Sequence, residues 1–140
     1  MSDCVPKAIA HVTGRDLSEV WPVCLRAGWT ESFGMHAGHK VRALKELGWD
    51  GGKLRFDLCG LTIAQLERRL RDTGEDARLM LDVYCGSELH VVSYADGELK
   101  NTLGMRRARV RSAYAHEPAL SPEAAPAGEA DPDETPGMRM

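Results

Sequence analysis

The chain has 140 residues and a net charge of −3, with 43% apolar and 28% charged residues. That size supports one domain with a real core, and the composition is ordinary for a soluble protein. No apolar run approaches the ~20 residues of a membrane span, and the first residues lack the basic and apolar regions of a signal peptide. A general nucleic-acid binder is not indicated either. The charge is uneven: residues 117–140 carry six acids and one arginine, net −5, so the remaining residues hold +2 of the total −3.

The first stretch, Asp3-Cys4-Val5-Pro6-Lys7-Ala8-Ile9-Ala10-His11-Val12-Thr13-Gly14, reads as a short helix. Asp3 is a good N-cap, Pro6 is tolerated only in the first turn, and Gly14 is a natural stop. Ala8, Ile9 and Val12 form its apolar stripe. Cys4 then sits where the positive end of the helix dipole favours a thiolate. Two readings of Cys4 are open: a nucleophile, or a small buried residue.

Asp16 with Glu19 has capping-box spacing and opens a second helix, with Leu17, Val20, Trp21, Cys24 and Leu25 inward. Pro22 either kinks it or marks where the main helix begins. Gly28 ends it. Residues 29–38 read as a loop that could line a groove. A third helix follows to Leu47, with Val41, Leu44 and Leu47 inward. His36 and His39 could share a helical face and bind metal, but no nearby acid or cysteine completes a site, and no metal or other cofactor is expected. Residues 53–59 alternate polar and apolar and suit an edge strand. Thr62 with Gln65 opens a fourth helix through Arg71, burying Ile63, Leu66 and Leu70, with Gly74 as its stop.

From Ala77 the period changes to two. Residues 78–85 form a central strand, and residues 89–102 form a hairpin around Asp96-Gly97, a type I′ turn signal. With that turn, paired residue numbers sum to 193, so Asn101 faces Val92 and becomes a diagonal neighbour of His90 on one face. A last strand covers 107–114, with Arg107, Arg109 and Arg111 on one face, either solvated or meeting an anionic partner. Residues 117–140, rich in Pro, Ala and acids, are expected to be a disordered tail after a domain of residues 1–116. The four cysteines show no CxxC pairing, and without secretion they are expected to stay thiols in a reducing cytoplasm.

A cysteine on an N-terminal helix, then a histidine, then an asparagine on a following strand is the chain order of papain-like peptidases. The wording Asp3-Cys4, Lys7-Ala8-Ile9-Ala10, Thr13-Gly14 and Glu19-Val20 resembles the opening of small papain-like domains encoded by bacteriophages. These are related to peptidases that remove double-glycine leaders from bacteriocins. The resemblance covers residues 3–102. It implies an α+β papain-like fold, N-terminal helices before an antiparallel sheet, and a triad in which Cys4 attacks, His90 moves the proton and Asn101 orients the imidazole. It implies peptide or isopeptide cleavage, or an inactive domain serving a phage particle or acting on the host. Expected partners are a peptide or protein substrate or other phage structural proteins, with no membrane and no nucleic acid, in the host cytoplasm or the virion. Papain-like enzymes also place an oxyanion glutamine shortly before the cysteine. Only Met1, Ser2 and Asp3 stand there, so that donor is expected to be missing, at a typical cost of ~10²–10³ in turnover.

Overall fold

The structure is a computed structural model, which describes residues 3–32, 34–102 and 104–119. The expected tail beyond residue 119 lies outside the described residues. The fold is α+β: three helices, α1 (Cys4–Thr13), α2 (Leu17–Ala27) and α3 (Ala37–Glu46), precede a sheet of β1 (Lys53–Leu54), β2 (Arg78–Cys85), β3 (Glu88–Ala95), β4 (Glu98–Lys100) and β5 (Arg109–His116). A fourth helix, α4 (Ile63–Thr73), falls between β1 and β2. The sheet is antiparallel throughout, in the order β1-β5-β2-β3-β4, so β2 is central as its apolar content requires.

Side chains alternate across a sheet, and both faces of this one are covered. Met80 and Val91 pack with α1, α2 and α3, burying Ile9, Val12, Val20 and Leu44 among them. Their sequence neighbours Leu79, Leu81 and Val92 point the other way, onto Ile63, Leu66 and Leu70 of α4. The sheet therefore separates two apolar cores.

Local signals set most boundaries. Thr62 Oγ1 accepts Gln65 N–H at 3.1 Å, while Gln65 Oε1 accepts Thr62 N–H at 2.9 Å. Asp96 (φ 54) and Gly97 (φ 78) both take the positive φ that a type I′ turn demands. The pairs Ala95–Glu98, Tyr94–Leu99 and Ser93–Lys100 reproduce the expected register.

Several expectations change. Pro22 lies inside a continuous α2, which neither begins later nor splits into a separate turn. Leu25, expected inward, is exposed, and Val23 and Ala27 are buried instead. The strand expected at 53–59 stops at Leu54 and continues as a 3-10 turn at Phe56–Leu58, leaving Phe56 exposed. The last strand is displaced to Arg109–His116, so Arg107 lies in the preceding turn. Arg111 is the extra residue of a bulge, between Val110 opposite Val83 and Ser112 opposite Asp82. Residues 117–119 belong to the fold: Asp50 N–H donates to Glu117 O at 3.1 Å and Ala119 N–H to Gly48 O at 2.8 Å.

Candidate active site

Cys4 is the first residue of α1, and Val5, Ala8, Ile9 and Val12 bury the helix against the sheet. Asp3 does not cap it through its side chain. Its carboxylate instead pairs with Lys7 Nζ at 3.1 Å, one turn on, so the acid beside the thiol is engaged by a cation. The first turn of a helix leaves backbone N–H groups without intrahelical acceptors. Here the N–H groups of Cys4 and Val5 are in that position, while Lys7 N–H reaches Asp3 O at 3.2 Å.

Cys4 and Val5 open onto a cavity of about 470 Å³ that Met35, Cys85, Leu89 and His90 also line. His36, at the start of α3, lines it as well. Leu89 and Val91 belong to the sheet face under α1, whereas His90 shares the opposite face with Val83 and Val92. The cavity takes residues from both faces because it lies where β4 has ended and β3 has a free edge.

The structure brings Cys4 and His90 to one cavity, and among the described residues no hydrogen bond joins the thiol to an imidazole. His90 Nε2–H donates instead to the backbone carbonyl of Asn101 at 3.2 Å, which leaves Nδ1 as the ring's proton acceptor. This differs from the expected amide contact. The β3–β4 ladder stops at Lys100, and Asn101 turns into the left-handed region at φ 68, so its side chain leaves the alternation. Asn101 lines another cavity, with His11, Ser93 and Lys100. The chain thus presents Asn101 to His90 through its backbone.

No protein-family profile, curated protein or solved structure matches this chain.

The other thiols and imidazoles sit differently. Cys24 is fully buried, and burial pushes its thiol up to about 11, so it is inert at neutral pH. His11 Nδ1 and Ser93 Oγ share a hydrogen bond of 2.8 Å, tying α1 to β3. Burial, helped by the charge on Lys100, lowers the His11 pKa. Cys85 and Met35 were not singled out by the sequence. Cys85 ends the central strand, and Met35 lies in the 29–38 loop that the sequence reads as able to line a groove.

Proposed function

We propose that the chain is a small thiol hydrolase of papain-like architecture that cleaves a peptide or isopeptide bond, with Cys4 as nucleophile and His90 as base. One observation carries this reading: the N-terminal turn of α1, with its thiol and two N–H groups that have no acceptor within the helix, lines the same cavity as an imidazole already oriented through its far nitrogen. In the proposed cycle His90 Nδ1 takes the Cys4 proton and the thiolate attacks the carbonyl carbon. The tetrahedral oxyanion forms beside the Cys4 and Val5 N–H groups, which donate to it. Collapse breaks the C–N bond, His90 returns the proton to the leaving amine, and water then hydrolyses the thioester. The Asn101 carbonyl holds the imidazole tautomer, the task the triad logic gives to an orienting group.

A second reading is a papain-like domain without catalysis, serving as a structural or accessory component of a phage particle or as a host-interaction factor. The absence of a Cys4–His90 hydrogen bond among the described residues favours it. The phage setting in both readings rests on the resemblance of residues 3–102. Incubation with a fluorogenic peptide library separates the two. The hydrolase reading expects turnover that Cys4→Ala and His90→Ala each abolish. Turnover that survives Cys4→Ala contradicts it, and an inactive parent supports the second reading.

A further inference from the structure

A second groove, of about 800 Å³, runs past the start of β5 between Tyr84, Gly86, Gly104, Arg107, Arg109 and Arg111. Two of its guanidiniums are held in place. Arg109 Nη1 donates to Gly60 O at 2.7 Å, and the Arg111 guanidinium lies 5.5 Å over the Tyr84 ring. Among the described residues no carboxylate pairs with Arg107, Arg109 or Arg111. The neighbouring Arg106 reaches Glu67 at 3.6 Å, an exposed and therefore weak pair. Three cations without counter-charge along one concave surface attract an anion.

We propose that this groove is the docking site for the acidic stretch 129–134 of the same chain. Residues 120–140 contain five acids and one base, and four of those acids fall within residues 129–134. The attachment point is fixed, because Ala119 N–H donates to Gly48 O at 2.8 Å near the far end of β5. A strand of that length spans ~26 Å. The nine residues 120–128 can cover up to ~30 Å when extended, so the acids can reach the arginines. A tethered ligand also acts at an effective concentration near millimolar, which lets modest ion pairs compete with free anions. The groove shares Cys85 with the Cys4 cavity, so its occupant lies beside that cavity, but the proposal does not depend on catalysis.

The test uses the full chain and a variant carrying Glu129→Gln, Asp131→Asn, Asp133→Asn and Glu134→Gln. At low salt (~0.02 M) the backbone amide resonances of Tyr84, Gly86, Gly104, Arg109 and Arg111 should differ between the two, and the difference should collapse at ~0.3 M salt. It should be unchanged on dilution of the protein. The variant should also bind an oligo-dT probe about tenfold tighter than the parent at low salt, a gain that Arg107→Ala with Arg111→Ala removes. Superimposable spectra overturn the proposal. Shifts that vanish on dilution also overturn it, assigning the acids to a neighbouring copy. Equal oligo-dT affinity for parent and variant overturns it as well, because the groove is then open to a nucleic acid.

Discussion

Under α4 the sheet meets Leu58, Ile63, Leu66 and Leu70, an apolar core of aliphatic side chains closed by Tyr94. Under α1, α2 and α3 it meets apolar residues too, but Lys40, Ser93 and His116 are buried among them. Lys40 Nζ lies 5.1 Å over the Tyr114 ring, and burial lowers its pKa against the pull of Asp82. His116 has no exposed side-chain surface and no partner within hydrogen-bond distance for either ring nitrogen among the described residues. Asp50 stands 3.9 Å from its Nδ1, and Gly52 packs so close that a Cβ there would meet the ring at 2.6 Å. The face under α4 buries apolar side chains, and the other also buries polar groups, which cost stability where they are unpaired. That second face carries Cys4, while His90 lies on the face under α4.

The largest effect should come from the apolar face. Leu66→Ala and Leu70→Ala each remove a fully buried side chain and should cost ~2–5 kcal/mol in urea unfolding. A loss below ~1 kcal/mol would mean that α4 is not the stabilising layer.

Acid should separate the faces next. Burial, and then the charge on Lys40, lowers the His116 pKa; burial lowers that of His11 in the same direction. The unfolded chain therefore binds more protons than the folded one below the ordinary histidine value of 6.5, so stability is full above it and falls as pH drops through it. Near α4, Arg55 donates to Asp57 and Glu75 and holds both carboxyls below their usual values. Their contribution is present above about 4.5, the ordinary value of the Glu75 carboxyl, and declines only in stronger acid. Stability measured against pH should thus decline in two windows, with His116→Leu flattening the upper one. An unchanged slope in that variant would remove His116 from the account.

Most single elements were legible in the sequence because their signals are local. The Thr62 box, the Asp96-Gly97 turn and the register sum of 193 need only neighbouring residues. What was illegible depends on where elements end or on what covers them. Asn101 faces Val92 only if β4 runs one residue further than Lys100. Nothing in the spacing of α3 marks Lys40 as buried; it is buried because α3 lies over Tyr114. Arg111 shares a face with Arg107 and Arg109 only in a strand without a bulge. The roles given to Cys4 and His90 came from chain order, which can place them in one cavity but carries no distance between them.

Two smaller effects sharpen the contrast between the faces. Lys40→Met keeps the volume and removes the buried charge, so unfolding should lie within about 1 kcal/mol of the parent or above it. A marked loss would show that the ammonium stabilises this face. Asn101→Ala keeps the carbonyl that His90 uses and should change both stability and any turnover least, by about 1 kcal/mol or less through the left-handed backbone. Turnover lost as fully as in Cys4→Ala would assign the role to the amide instead.

Competitive alkylation of the folded protein at neutral pH, read thiol by thiol by mass spectrometry, tests the central claim most directly. Cys4 should be modified before Cys24, Cys59 and Cys85, and His90→Ala should slow its labelling by about tenfold or more if the imidazole takes its proton. Labelling that begins at Cys59 or Cys85, or a Cys4 rate that His90→Ala leaves unchanged, would contradict the account.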